Sequence, residues 1–332
     1  MKKIMNDPAT VVDETLAAFA LVHSDLVRSD IAHRLCLRRE PLPAGQVALI
    51  SGGGSGHEPL HAGFVGDGML AAAVLGDIFA APSSDQVAAA ATATDTGAGV
   101  LFIVKNYTGD KLNFRVATEL LEDENVDARL VLVADDAAIP RADGGPGRRG
   151  TAATVFVEKI AGAAAAEGQK LDEVTELAQQ VADAGRSLGF ALTSCTTPMA
   201  GRPTFELADA DVEFGVGIHG ERGRTTQPLT TSAELADQVV DLLVEELQVE
   251  PGTSLLVFTN GFGATPATEL YPFHGDVCAA LEAHGFDCVR HLVGSYVTSL
   301  DMAGASVSLL PLDDELTRLW DAPVHTPTFT WS

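Results

Sequence analysis

The sequence predicts an α/β protein built of two α/β domains, with a substrate cleft at the C-terminal ends of the strands. Short continuous apolar runs, the mark of strands buried on both faces, alternate with longer segments of helical period. Glycine-rich or polar turns follow several of these runs directly, at the strand end where open α/β sheets collect ligands. The 332 residues also suffice for two cores of ordinary size.

In chain order, Thr10 to Arg28 place Leu16, Phe19, Ala20 and Val27 on one helical face, with His23 among them and acids near the start. Val47 to Ile50, Met69 to Leu75, Gly99 to Val104 and Ala128 to Val133 read as buried strands. Ser84 to Thr94 and Lys111 to Leu121 read as helices between them, the rhythm of β-α-β units. Residues 134–150 end in Gly144-Gly145-Pro146-Gly147-Arg148-Arg149-Gly150 and predict an exposed loop. Helices Thr151 to Glu167 and Leu171 to Ala184 follow, then strands Phe190 to Cys195 and Val212 to Ile218. A second α/β unit continues with helix Ala233 to Leu247, strand Ser254 to Phe258, helix Pro266 to His284 and strands Asp287 to Leu292 and Ser306 to Leu310. A boundary near Arg186 gives domains of residues 1–185 and 186–332.

Lys plus Arg number 21 against 46 Asp plus Glu, a net charge of −25 that repels polyanions, so nucleic acid is not an expected ligand. No uncharged apolar run is long enough to span a membrane, and Asn6-Asp7 interrupts the N-terminus before a signal peptide could form. Cys36, Cys195, Cys278 and Cys288 show no C-x-x-C spacing, which argues against zinc and suits reduced thiols in the cytoplasm.

The most informative string is Ser51-Gly52-Gly53-Gly54-Ser55-Gly56-His57-Glu58-Pro59, a glycine loop after an apolar run that holds up one histidine. Glycines permit close backbone approach to a ligand. A P-loop would need Gly-Lys-Ser/Thr, and a dinucleotide fingerprint a later acid, for which Asp67 and Asp77 are only loose candidates. Lys105-Asn106-Tyr107-Thr108-Gly109-Asp110 puts a cation and a carboxylate at another strand end. Lys105 suits a phosphate, a substrate oxygen or plain solvent, and Asp110 suits either proton acceptance or the cap of a helix starting near Lys111. Gly215-Val216-Gly217-Ile218-His219-Gly220-Glu221-Arg222-Gly223 presents a second glycine-framed imidazole, fit to act as nucleophile, base or metal ligand. His57-Glu58-Pro59-Leu60-His61 matches the pattern of zinc proteases only formally, since Pro59 prevents one continuous helix from carrying both rings. No metal is therefore expected. His23, His33, His274, His284, His291 and His325 read as structural or surface residues, and Asn260 to Pro266 as a strand-to-helix turn.

Together SGGGSGHEP, GDIFAAPS, KNYTGD, RRGTAATVFVEKI, GIHGERG, GSYVTSLDMAGAS and LWDAPVHTP resemble the substrate-binding K subunit of the dihydroxyacetone kinases, from near residue 8 to the C-terminus. The resemblance implies that His219 binds the ketone covalently as a hemiaminal, and that Gly54, Ser55 and Gly56 hold substrate hydroxyls. His57 would be an acid/base group, while Lys105 and Asp110 would bind substrate, Asp110 as base on the hydroxyl that accepts phosphate. Arg222 departs from the proline of the family string and alters a surface open to a partner. Polyols lack an electrophilic carbon, so a covalent anchor selects ketones by reactivity and also fixes a small flexible triose for transfer. No aspartate-rich nucleotide and magnesium segment follows, so the resemblance implies no cofactor in this chain. ADP or ATP with magnesium is expected on a separate L subunit, which a phosphotransferase-system phosphocarrier would recharge, and a homodimer is expected. Two other readings stand beside it: a catalytically silent ketone-sensing coregulator, and a kinase subunit for another short sugar such as glyceraldehyde or erythrulose.

Overall fold

The computed structural model describes residues 2–140 and 147–332. In chain order the elements are α1 (Val11–Val22), β1 (Val27–Asp30), β2 (Leu35–Arg38), β3 (Ala48–Ser55), β4 (Ala72–Ile78), α2 (Ser84–Thr94), β5 (Val100–Lys105), α3 (Thr108–Asp123) and β6 (Ala128–Val133). Then come α4 (Thr154–Ala166), α5 (Leu171–Ala184), β7 (Arg186–Ala191), β8 (Asp211–Phe214), β9 (Thr225–Pro228), α6 (Ser232–Leu247), β10 (Ser254–Gly261), α7 (Ala267–Ala283), β11 (Asp287–Gly294) and β12 (Gly304–Pro311). The chain closes with α8 (Asp314–Asp321), β13 (Val324–His325) and β14 (Thr330–Trp331). The fold is α/β, as the alternation of runs and helices predicts.

Two compact units result. The first joins Lys2–Val133, Thr154–Ala182 and Leu316–Ser332, and the second joins Ala134–Ala153 with Asp183–Glu315. A single cut at residue 186 therefore does not describe the chain, and side-chain chemistry explains why. Asp135 accepts from the Thr151 and Ala153 amides and the Thr151 hydroxyl, while its carbonyl accepts from the Ser187 amide, so residues 134–153 are tied to β7. The tail returns to the first unit, where Phe329 stacks on Phe64 with ring centroids 5.1 Å apart and buried Lys159 donates to the Leu319 carbonyl at 2.8 Å.

In the first unit the sheet runs β1-β2-β4-β3-β5-β6, with β4, β3, β5 and β6 mutually parallel and the β1-β2 and β2-β4 pairs antiparallel. Ala48, Ile50, Phe102 and Val104 alternate onto the face covered by α2 and α3, where Val87, Ala91, Phe114 and Leu121 complete a core. Helix α4 packs on β3 and β5, and every described residue from Thr154 to Ala165 is buried, Glu158 and Lys159 included. The second unit's sheet runs β11-β10-β12-β7-β8-β9; only β10-β11 is parallel. Its core joins α6 and α7 to β7, β8, β10 and β12 through residues such as Val239, Leu243, Val277, Val257 and Val307.

Several expectations need correction. The expected helix from Thr10 to Arg28 stops at Val22, and Val27 opens an edge strand whose polar Arg28, Ser29 and Asp30 hide it from a hydrophobicity reading. Ser51–Ser55 is not a loop but the buried second half of β3, because β4 supplies partners along this whole segment and β5 as far as Gly52. The stretch predicted as an exposed loop is largely internal where described: Asp135, Asp136 and Arg148 are buried, and Arg148 pairs with Glu246 at 2.6 Å. Residues 144–146 of its glycine string lie outside the described residues. The expected strands Phe190 to Cys195 and Val212 to Ile218 are shifted, ending at Ala191 and Phe214, where Gly215 turns the backbone at φ +82°. Among the described residues no helix is long and apolar enough to cross a membrane.

Candidate functional site

In the first unit the residues of interest gather at the C-terminal ends of β3 and β5. The triple glycine is needed there for packing. A Cβ on Gly52 would meet the Val74 carbonyl at 2.5 Å, and one on Gly54 the Ala80 amide nitrogen at 2.6 Å, so β4 and the turn after it lie flush on the β3 backbone. Ser55 gives its hydroxyl proton to the Gly76 carbonyl at 2.7 Å, and the Gly56 amide donates to the Glu58 carboxylate at 3.0 Å. These contacts fix the strand end from which His57 projects. The His57 ring is 1% exposed and stacks on Phe79 at 5.1 Å between centroids.

Gly53 opens the other side. A Cβ there would stand 2.9 Å from Lys105 Nζ and 3.5 Å from Asp110 Oδ1, so the ammonium and the carboxylate converge on one point of the glycine backbone. Both residues are buried. Helix α3 begins at Thr108 with Tyr107 as its cap, which places Asp110 in the first turn rather than at the cap. A carboxylate there is favoured by the helix dipole as well as by Lys105.

Behind Lys105 stands a pair that motif reading did not select. Lys105 Nζ donates to the Gly52 carbonyl at 3.3 Å and contacts His61 Nε2, and His61 Nδ1 lies 2.6 Å from Glu158 Oε1. Burial, then the charges of Lys105 and His57, push the His61 pKa far down, so the ring is neutral, accepts from the ammonium and donates to Glu158. Burial raises the Glu158 carboxyl to about 8, against the opposing pull of Lys105 and of a hydrogen bond with Ser51. His61 was visible only as a broken half of a zinc-protease pattern, and Glu158 as a charge inside an alanine-rich helix. Only the packing of α4 on β3 and β5 relates them to Lys105.

In the second unit His219 follows β8 on a turn, its side chain 16% exposed. Its amide donates to Glu221 Oε2 at 2.9 Å, and its Nδ1 lies 3.7 Å from Glu221 Oε1. Burial works to raise the Glu221 pKa. The hydrogen bond and charge of His219 and the charge of Arg149 outweigh it and hold the group at about 2. Arg149 is itself fixed by Asp136 at 2.6 Å and the Gly215 carbonyl at 2.9 Å. The glycines around His219 serve this packing more than ring access: a Cβ on Gly217 would lie 2.5 Å from Glu221 Oε2, and one on Gly220 would lie 2.6 Å from Cys195 Sγ. Arg222 lays its guanidinium 5.8 Å from the Phe205 ring centroid and donates to the Glu206 carbonyl at 3.3 Å. Glu221 was missed because an acid beside a histidine in a glycine turn carries no periodic signal.

His57, His61, Lys105, Asp110 and Glu158 thus share one strand end of the first unit, while His219, Glu221 and Arg149 form a group in the second. The first can bind oxygens and accept a proton; the second offers an imidazole whose Nδ1 faces the Glu221 carboxylate, a ring of the type that adds to electrophiles.

Comparison with known proteins gives these groups a context. The chain is 43% identical to the dihydroxyacetone-binding subunit of the phosphoenolpyruvate-dependent dihydroxyacetone kinase of Escherichia coli (strain K12), across 100% of this chain and 99% of that one. It is 45% identical to the corresponding subunit of a phosphotransferase-system-dependent dihydroxyacetone kinase of Listeria innocua, with 95% of each chain covered. Among solved structures, a dihydroxyacetone kinase operon co-activator superposes with a TM-score of 0.89 at 33% identity, covering 94% of this chain and 96% of that one. The Dak1 domain model matches residues 17–328, and on that match and these identities the chain belongs to the Dak1 family, with the K subunits of the dihydroxyacetone kinases.

Proposed function

We propose that this chain is the substrate-binding subunit of a dihydroxyacetone kinase, holding the ketone on His219 and presenting its hydroxyl for phosphorylation by a separate nucleotide-bearing L subunit. The observation that carries this reading is the convergence of Lys105 Nζ and Asp110 Oδ1 at Gly53, a cation and a base aimed at one point of a strand end. Identities of 43% and 45% to dihydroxyacetone-binding subunits of phosphoenolpyruvate- and phosphotransferase-system-dependent kinases support a division of labour between two polypeptides.

The chemistry follows from the side chains. His219 Nε2 adds to the carbonyl carbon, the C=O π pair moves to oxygen, and the proton that leaves Nδ1 equals the one the new hydroxyl requires. Glu221, with a pKa of about 2, stays ionised and so orients the ring and offsets its transient positive charge instead of taking the proton. His57 serves as a hydrogen-bonding acid/base group toward the substrate. Gly54, Ser55 and Gly56 shape the wall against which the hydroxyls rest, and Lys105 bonds a substrate oxygen. Asp110 accepts the proton of the hydroxyl that attacks phosphorus, and ADP or ATP with magnesium stays on the partner, itself served by a phosphocarrier. The subunit acts in the cytoplasm as a homodimer.

The likeness to an operon co-activator favours one alternative, a ketone-sensing coregulator. Phosphate transfer to dihydroxyacetone with an L subunit present separates the two. The wild type is expected to turn over, with His219→Ala and Asp110→Asn each reduced at least 100-fold. Equal rates in all three proteins would remove the mechanism, and ketone binding without product would establish the sensor.

A further inference from the structure

A second cluster of chemically capable side chains lies away from these residues, on α7 and β11. His274 and Cys278 are four apart on α7 and share one helix face. Cys288 and His291 are three apart on β11, which in a regular strand would put them on opposite faces. A bulge changes that. Cys288 pairs with Leu255, Arg290 with Leu256 and His291 with Val257, so Val289 is the extra residue and both potential ligands return to one face. Leu255 and Val257 on that face belong to the core shared with α7, against which Cys278 and Cys288 also pack.

The geometry is that of a coordination shell. His274 Nε2 and His291 Nδ1 are 3.0 Å apart, and Cys278 Sγ is 3.6 Å from the first and 3.9 Å from the second. Tetrahedral zinc with ordinary bond lengths separates two imidazole nitrogens by about 3.3 Å and a nitrogen from a sulfur by about 3.6 Å. Buried Thr259 meets His274 Nδ1 at 2.9 Å, fixing the ring with Nε2 toward the cluster, as outer partners of metal-bound histidines do. The Cys288 thiol interacts with Cys278 from outside this three-atom cluster. Two nitrogens and a thiolate favour a borderline-soft ion such as zinc over magnesium or calcium.

We propose that His274 Nε2, Cys278 Sγ and His291 Nδ1 form a zinc site, with Cys288 as the adjacent thiol for a fourth ligand, that clamps the edge strand β11 to α7. Binding replaces the Cys278 thiol proton with the metal and releases that proton. The spacing H-x3-C-x9-C-x2-H is no familiar zinc motif, and the expectation of no metal rested on such motifs.

The test uses full-length protein, reduced and stripped with chelator, titrated with Co2+ as a spectroscopic stand-in and with Zn2+ in competition. One equivalent is expected to give visible ligand-field bands and a near-ultraviolet thiolate-to-cobalt band, and Zn2+ is expected to displace both. Cys278→Ser should weaken the charge-transfer band and Cys278→Ser combined with Cys288→Ser should abolish it, exposed His291→Ala should weaken binding at least tenfold, and Thr259→Val should weaken it about tenfold, with unchanged circular dichroism in each. Absence of stoichiometric binding by the reduced wild type, or wild-type affinity in Cys278→Ser and His291→Ala, would overturn the proposal.

Discussion

Glu221 illustrates how one residue near His219 joins chemistry to stability. Its folded pKa of about 2 lies below the ordinary 4.5, so the carboxylate contributes stability above pH 4.5 that is lost as pH falls toward 2. Its side chain is 34% exposed, and solvent screening brings the contribution to about 1 kcal/mol. Glu221→Gln should therefore unfold less steeply than wild type between pH 4.5 and 2, followed by circular dichroism; parallel acid curves would refute the assignment. The same variant keeps a ring partner but no charge, and ketone adduct formation on His219 is expected to slow roughly tenfold or more. His57, Lys105, Asp110 and His219 could be picked out of the sequence because glycine turns and strand ends mark them. Glu221, His61 and Glu158 could not, since their significance lies in what touches them.

At the scale of elements, β3 shows tertiary context overriding local propensity. Three consecutive glycines read as a loop, yet pairing with β5 as far as Gly52 and with β4 as far as Ser55 holds the segment extended and buried. The bare backbone serves two purposes that substitution can separate. Gly52→Ala drives a methyl toward the Val74 carbonyl at 2.5 Å, main chain that cannot swing aside, and should cost about 1–3 kcal/mol in thermal or denaturant unfolding. Gly53→Ala brings a methyl within 2.9 Å of Lys105 Nζ and places it on backbone at φ +155°, which L residues rarely adopt, so it should depress phosphate acceptance and lower the melting midpoint as well. Wild-type phosphate acceptance in Gly53→Ala would contradict the assignment of Gly53 to the substrate side. Helices were easier to read: α2 and α5 begin and end where the sequence places them, because amphipathic period and Ser or acidic starts are local signals. The edge strands β1 and β9, short and polar, carry no such signal.

For the whole molecule, the return of Leu316–Ser332 to the first unit has a measurable consequence. Removing these residues strips Phe329 from Phe64, Trp320 from Phe156 and the Leu319 carbonyl from buried Lys159. A chain ending at Glu315 should lose hydrogen-exchange protection in β3, β5 and α4 before it loses any in α6 and α7, because a buried ammonium left without its acceptor is costly. Protection lost first from α6 and α7 would show that the tail supports the other unit. The sequence alone determined the α/β class, the strand ends that hold the candidate site residues and the residues matching the Dak1 family, because each of these is written in local period, turn chemistry and motif order. Only the tertiary structure decided the interleaving of the two units, the burial of residues 135–138 and 148, the linking of Lys105 to His61 and Glu158, and the meeting of His274, Cys278 and His291. These are contacts between residues distant in the chain, and they exist only after hydrophobic burial has chosen which elements lie side by side.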